Sequence, residues 1–185
     1  MISIALRPIN FIGSVLSSLT KYLMNSMKHT LMTLSLVALA VGGGNAFGET
    51  INYGAPISLE VAKKVAQAAV TEMHKKNLEL TIAVVDSGGN LIYLERSNQA
   101  PIGTVDAAIG KAKAANGIKA PTKVIEDQVL NNNKVNLLGI PGAFPVEGGV
   151  PLIFNKQIIG AIGASGAMPA EDGVVANAGA KSLLP

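Results

Sequence analysis

The sequence predicts an α/β fold in which two antiparallel hairpins form a sheet and amphipathic helices pack against it. Residues 80–86 and 91–96 are β-rich runs joined by Ser-Gly-Gly-Asn, whose residues tolerate positive φ and therefore favour a hairpin turn. Residues 148–166 contain two more such runs, separated only by Asn-Lys-Gln. Residues 59–76 carry apolar side chains at three- and four-residue steps, which is typical of a helix with one buried face.

Polar residues at the ends of these elements predict how each one begins or ends. Ser58 is placed to cap the first helix, and Asp86 is placed to bind the backbone of the first hairpin turn. His74 follows the polar face of the first helix near its C-terminus, where a partly charged imidazole interacts favourably with the helix dipole. We therefore interpret His74 as a surface residue, with a metal-ligand or haem-ligand role as the alternative.

The pattern of residues 102–118 predicts a second helix that carries two stripes along its surface, one apolar and one made of small residues. The expected core stripe consists of Ile102, Val105, Ile109 and Ala112. A stripe of small residues consists of Gly103, Ala107, Gly110, Ala114 and Gly117. Because a glycine inside a helix costs about 1 kcal/mol relative to alanine, three on one face indicate close packing or binding. The neighbour would be another helix, in this chain or another subunit, or a flat ligand.

The segment that follows combines a short helix with a long loop. Pro121 opens a third helix that should end near residue 131, and the loop that follows runs through residues 132–149. Loops of this length are often functional, and Glu147 is the one charged residue between Lys134 and Lys156. A last helix begins near Pro169, with Asp172 in its first turn, where an acid is favoured.

The N-terminal region has the pattern of an export signal. Met27, Lys28 and His29 precede an uncharged apolar stretch at 30–41, and small residues follow. We therefore expect a signal peptide at 27–48, cleaved after Ala46 or Gly48, and a periplasmic or secreted mature domain at 49–185. Residues 1–26 are a mis-called start or an upstream extension. The apolar stretch is shorter than the roughly 20 residues that span a bilayer, so we expect no membrane anchor after cleavage.

Charge and composition exclude several classes of function. The excess positive charges, Arg7, Lys21 and Lys28, all precede the mature domain, which is left with 12 basic and 12 acidic residues. We therefore expect no nucleic-acid partner, because such a partner needs a concentrated basic face. The sequence has no cysteine, which excludes disulfides and thiolate-ligated metals. It also lacks a phosphate-binding loop and the elbow of a serine hydrolase, and we expect no metal site.

Four segments in order resemble the GlcG/HbpS-like family, which includes haem-binding exported proteins and the C-terminal module of PduO-type proteins. They are Ile-Ala-Val-Val-Asp-Ser-Gly-Gly-Asn-Leu at 82–91, Ala-Ala-Ile-Gly-Lys-Ala-Lys-Ala-Ala at 107–115, Gly-Gly-Val-Pro-Leu at 148–152, and Gly-Ala-Ile-Gly-Ala-Ser-Gly at 160–166 followed by Asp172. Together they cover most of residues 57–182. Where the family often has a basic-acidic-Gly-Ala run after the second strand, this chain keeps Arg96 and lacks the acid.

The resemblance implies a profilin-like fold, a five-stranded antiparallel sheet flanked by helices, and assembly into an even-numbered homo-oligomer. It also implies binding of haem or another small ligand. Our leading hypothesis is thus an exported, non-catalytic small-molecule-binding protein, with haem or a related tetrapyrrole as the ligand. The candidate ligand-binding residues are Arg96, Gly103, Gly110, Lys111, Glu147, Gly148, Gly149 and Asp172.

The alternative hypothesis is an enzyme, such as an isomerase or hydrolase acting on an organic acid. In that case Arg96 or Lys111 would hold the substrate carboxylate, and Glu147 or Asp172 would move a proton. A third interpretation is a purely structural oligomer subunit without a ligand.

Overall fold

The computed structural model describes residues 19–24 and 51–183. The chain divides into two units, Met1–Thr50 and Ile51–Pro185, and in the first unit residues 19–24 are helical. The expected signal peptide at 27–48 and its cleavage points lie outside the described residues. In the described ranges no helix is long and apolar enough to cross a membrane.

The second unit alternates helices and strands as expected. Its elements are β1 (Asn52–Tyr53), α1 (Leu59–Lys75), β2 (Thr81–Asp86), β3 (Leu91–Arg96), α2 (Thr104–Ile118), α3 (Lys123–Leu130), a 3-10 helix (Val135–Gly139), β4 (Gly149–Phe154), β5 (Gln157–Ser165) and α4 (Pro169–Lys181). Both predicted hairpins are present, and the 3-10 helix lies within the segment predicted as a loop. The α/β fold expected from the sequence is therefore confirmed.

The central strand of the sheet is β5. It pairs antiparallel with β4 on one edge and with β2 on the other, and β3 pairs with β2 at the outside. Gln157 pairs with both Phe154 of β4 and Asn52 of β1, so β1 lies on the same edge of β5 as β2. Because β1 runs parallel to β5, the five-stranded sheet is mixed, which corrects the expectation of a purely antiparallel sheet.

Helices cover both faces of this sheet. The side chains of Ile82, Val84 and Ile162 enter the large apolar cluster formed with α1 and α4. The intervening residues point the other way, since side chains alternate along a strand, and Val85 and Ala161 pack against α2. The result is a three-layer arrangement in which β5 is buried on both sides.

Glycines in β4 and β5 let the backbone of α2 lie directly on the sheet. A Cβ atom at Gly163 would collide with the carbonyl of Ala108 and lie 2.7 Å from the amide nitrogen of Ala112. A Cβ atom at Gly149 would likewise collide with the carbonyl of Lys111. The expected close approach of another backbone to the last strand is thus made by α2.

The buried face of α2 differs from the predicted one. The buried residues of this helix are Thr104, Ala108, Lys111, Ala112, Ala114, Ala115 and Asn116. Ile102 precedes the helix and is 84% exposed, so of the predicted core stripe only Ala112 is fully buried. The sheet comes so close that alanine is the largest apolar side chain on this face.

The two ends of the small-residue stripe on α2 are not covered by described residues of the protomer, whereas Gly110 and Ala114 in its middle are covered. Among the described residues, no atom lies within 4 Å of a Cβ built at Gly103 or Gly117. The ring of Phe144, from the long loop before β4, lies against Gly110. The expected groove with a continuous neighbour is therefore not formed inside the protomer, because only its middle is filled.

Candidate functional site

A buried ion pair lies where the two helical layers meet at the end of β5. Lys111 of α2 donates from Nζ to Oδ2 of Asp172, in the first turn of α4, at 2.7 Å, and each side chain is 2% exposed. The ammonium also donates to the carbonyl of Ala164, and Oδ1 of Asp172 accepts from the amide of Ala167. Both charges thus have a partner of opposite charge and further hydrogen bonds, which is the condition for burying them.

Gly148 closes the protein over this ion pair. Its φ is +131°, and a Cβ atom there would lie 2.9 Å from Nζ of Lys111 and 2.6 Å from the carbonyl of Ala164. A side chain at this position would be strained and would collide with the lysine. The glycine therefore seals the lysine from solvent in the protomer.

A small cavity lies next to Gly148 on the outer side. It has a volume of about 220 Å³ and is lined by Pro121, Lys123, Val124, Glu147, Gly148, Gly149, Val150, Gly173 and Asn177. We call it the Glu147 cavity. The side chain of Glu147 lies across Gly173 of α4, where a Cβ atom would overlap the carboxylate. A glycine at 173 therefore makes room for that carboxylate.

The start of α3 positions the Glu147 segment. The amide of Glu147 donates to Oε2 of Glu126 at 2.9 Å. Thr122, which is fully buried, accepts from the amide of Gly149 through its hydroxyl and donates its own amide to the carbonyl of Gly149. These three bonds fix the backbone that forms the cavity wall.

Burial changes the proton affinity of both acids near this site. The pKa of Glu147 is raised, first by burial and then by the neighbouring acids Glu126 and Asp127, with Lys123 acting in the opposite direction. The pKa of Asp172 is also raised by burial, against the opposing effects of Lys111 and the amide of Ala167.

The structure brings five of the eight predicted site residues together. They are Lys111, Glu147, Gly148, Gly149 and Asp172. Arg96 lies elsewhere, at the end of β3, where Nη1 donates to the carbonyl of Ala100 at 2.7 Å. Gly103 lies just before α2 with no described atom within 4 Å of a Cβ built there, and Gly110 is covered by Phe144. The other three residues of the predicted set are therefore separate from these five.

Arg96 belongs to a second, open depression. This depression has a volume of about 520 Å³ and is lined by Met73, His74, Glu79, Glu95, Arg96, Ser97, Asn98 and Gln99. We call it the His74 depression. His74 is exposed at the end of α1, as its place in the helix pattern predicted, and Met73 is buried in the core. Most of the walls are polar or charged.

Sequence reasoning missed the residues that α3 and α4 contribute to the Glu147 cavity. Thr122 stands next to the predicted helix start at Pro121, so its position signalled a cap but not a bond to Gly149. Lys123, Gly173 and Asn177 reach the cavity only because α3 and α4 meet there, and no sequence spacing indicates that meeting. Within the described ranges no group of three metal-ligating side chains could hold a metal ion.

Comparison with known proteins places this arrangement in a family. A family model described as "Haem degrading protein HbpS-like" matches residues 57–181. Protein GlcG of Escherichia coli strain K12 is 38% identical over 106 residues, which are 57% of this chain and 78% of GlcG.

Solved structures agree with the sequence match. The crystal structure of HbpS has a TM-score of 0.65 and 29% identity, and covers 77% of this chain and 99% of its own. The crystal structure of a PduOC–haem complex has a TM-score of 0.63 and 20% identity, and covers 70% of this chain and 96% of its own, a likeness of fold alone. Because the family match takes in both hairpins and the helices that form the Glu147 cavity, the chain belongs to the HbpS-like family.

Proposed function

We propose that the protein is an exported small-molecule-binding protein that works as a homo-oligomer and does not catalyse a reaction. The observation that carries this proposal is the Glu147 cavity, whose wall is fixed by backbone hydrogen bonds around Gly149. Behind Gly148, Asp172 and Lys111 are bound to each other and buried, and Lys123 of the lining is bound to Asp127. Its preformed wall and its mixture of apolar side chains with a few fixed polar groups suit a ligand smaller than those of ordinary binding pockets.

Haem or a related tetrapyrrole is the ligand that the family description supports. The Glu147 cavity does not suit it, because a volume of about 220 Å³ is below the roughly 300–1,000 Å³ of ligand pockets and its lining offers no His, Cys, Tyr or Met for the iron. The His74 depression is an open recess of about 520 Å³ that carries an exposed histidine. There His74 would hold the iron and Arg96 would hold a propionate.

Titration of the purified mature protein with hemin tests this ligand. We expect a saturable Soret shift that is lost in His74→Ala and weakened in Arg96→Ala. Lys113→Ala, an exposed position on α2, serves as the control and should bind as the wild type does. Absence of a saturable shift with hemin in large molar excess would remove haem from the proposal.

An enzymatic role is the second proposal, favoured by the family description, which names haem degradation. The residue set expected for an enzyme acting on an organic acid is divided, since Arg96 lies in the His74 depression and Lys111 is sealed under Gly148. Following the Soret band of the hemin-loaded protein in air with a reductant tests haem degradation. A band that decays faster with protein than without it supports this second proposal over simple binding.

A further inference from the structure

The charges around the Glu147 cavity do not balance within the protein. Lys123 is paired with Asp127, and Lys111 is paired with Asp172. In residues 51–183 neither Glu147 nor Glu126 forms an ion pair with a lysine or arginine. The cavity therefore lies beside two carboxylates that form no ion pair, one of which, Glu147, lines it, while the neighbouring cation Lys123 is held by Asp127.

Two acceptors of the lining receive no hydrogen bond from residues 51–183: the carboxylate of Glu147, and Oδ1 of Asn177, whose Nδ2 donates to the carbonyl of Gly173 at 2.8 Å. The cation of the lining, Lys123, is bound to Asp127. The amide of Gly149 is already bonded to Thr122, and the amide of Glu147 to Glu126. A ligand that brings hydrogen-bond donors and positive charge would satisfy these groups, whereas an anion would not.

The volume limits the size of the ligand. At about 30 Å³ per molecule of liquid water, 220 Å³ holds roughly seven waters, or a molecule with a similar number of non-hydrogen atoms. Pro121, Val124 and Val150 supply an apolar wall for a short hydrocarbon group.

We propose that the Glu147 cavity binds a small organic cation, an alkylammonium-type molecule whose charged group lies against the Glu147 carboxylate and whose hydrocarbon part lies against Val124 and Val150. This inference rests on the proposed small-molecule-binding function and names the class of ligand for this cavity. It is separate from the His74 depression, so the two sites can be tested independently.

The test uses three isosteric probes with the purified mature protein: butylammonium, the neutral 1-butanol and the anionic butyrate. Binding is followed by the ¹H–¹⁵N NMR shifts of the amides of Gly148, Gly149 and Gly173. We expect saturable shifts with butylammonium, with an affinity roughly tenfold or more above that of 1-butanol, and none with butyrate.

Two variants identify the charge that recognises the probe. Glu147→Gln keeps the shape of the side chain and should weaken butylammonium binding roughly tenfold. Lys123→Gln should strengthen butylammonium binding, because it removes a positive charge from the lining and leaves Asp127 without its partner. Glu60→Gln, at the exposed start of α1, is the matched control and should bind as the wild type does.

Three results would overturn the inference: butyrate or 1-butanol binding as tightly as butylammonium, Glu147→Gln retaining full affinity, or no saturable butylammonium binding at all. If hemin still binds in any of these cases, the inference about the cation fails alone. If hemin also gives no Soret shift, the small-molecule-binding function fails with it.

Discussion

At the scale of single residues, the Lys111–Asp172 pair is a buried pair of charges that needs compensating hydrogen bonds. Two charges in a 2% exposed environment are tolerated because each also bonds to backbone, through the carbonyl of Ala164 and the amide of Ala167. The pair joins α2 on one face of the sheet to α4 on the other. Its role in the protomer is therefore to hold the two helical layers together at the end of β5.

Removing one member of the pair should lower the free energy of unfolding much more than removing both charges. Lys111→Met leaves Asp172 buried without a cation, and we expect a loss of about 3–5 kcal/mol in the free energy of unfolding. The double variant Lys111→Met/Asp172→Asn should recover much of this loss, because asparagine is neutral and still accepts from Ala167. Urea denaturation of the two single variants and the double variant measures the coupling. Additive losses would show that the two side chains act independently.

The raised pKa of Glu147 predicts a pH-dependent stability. An acid whose pKa is raised on folding binds its proton more tightly in the folded state, so its ionised form costs stability above the folded pKa. This cost disappears as the pH falls through that pKa. Glu147→Gln should therefore raise the melting temperature more at pH 7 than at pH 4, as measured by thermal unfolding.

The stability contributed by Glu60 should depend on pH in the opposite direction, so Glu60 serves as the comparison. Its pKa is lowered, first by a backbone hydrogen bond at the start of α1 and then by Ser58, so its ionised form stabilises the folded state. That stabilisation is lost as the pH falls through the folded pKa. Glu60→Gln should thus lower stability at pH 7 with a smaller effect at pH 4. The same pH trend in both variants would contradict this account of Glu147.

At the scale of elements, the contact between α2 and the sheet is made by backbone rather than by large side chains. Ala108, Ala112 and Ala115 face β5 and β2, and Gly163 receives the helix backbone directly. Dispersion contacts between closely packed backbones replace the usual interdigitation of leucine and isoleucine. This explains why the helix that lies closest to the sheet has few bulky apolar residues on its buried face.

Two glycine substitutions separate this packing from helix propensity. Gly163→Ala would drive a methyl group into the carbonyl of Ala108, so we expect a loss of about 3 kcal/mol or more in the free energy of unfolding. Gly117→Ala adds a methyl group that meets no described atom within 4 Å, and should stabilise α2 by up to about 1 kcal/mol. Urea denaturation measures both. Equal effects of the two substitutions would contradict the close approach at Gly163.

At the scale of the whole molecule, the segment between α2 and β4 exposes an apolar surface. The residues of this surface, each about half exposed or more, are Leu130, Val135, Leu138 and Ile140. Several exposed apolar side chains within one segment of a folded domain are a candidate interaction surface. It supports the proposed self-association, for which a second copy of the chain would cover these residues.

Disrupting this surface should change the mass of the protein in solution. Leu138→Glu would place a charge in the proposed contact, and we expect a smaller species by light scattering coupled to size-exclusion chromatography. Leu59→Glu, at the exposed start of α1, is the control and should leave the mass unchanged. A wild-type protein that is monomeric at high concentration would contradict the proposed self-association.

The sequence predicted the helices and hairpins because caps, turns and periodicity depend on residues close together in the chain. Ser58 accepts from the amide of Val61, Asp86 accepts from the amide of Asn90, and Pro169 begins α4, each as expected. A cap or a turn depends on residues within a few positions of one another, so periodicity and turn chemistry suffice to place it. The parallel pairing of β1 was missed, because a two-residue strand has no periodicity of its own.

The sequence by itself determined the α/β class, the two hairpins, the helix starts and the absence of thiol chemistry. Tertiary structure decided which face of α2 is buried, that Lys111 and Asp172 bind each other, and that Arg96 and Glu147 lie in separate recesses. The physical reason is the distance along the chain over which each kind of interaction acts. Helix and turn propensities act over a few residues, whereas Lys111 and Asp172 are 61 positions apart and meet only because α2 and α4 pack on opposite faces of one sheet.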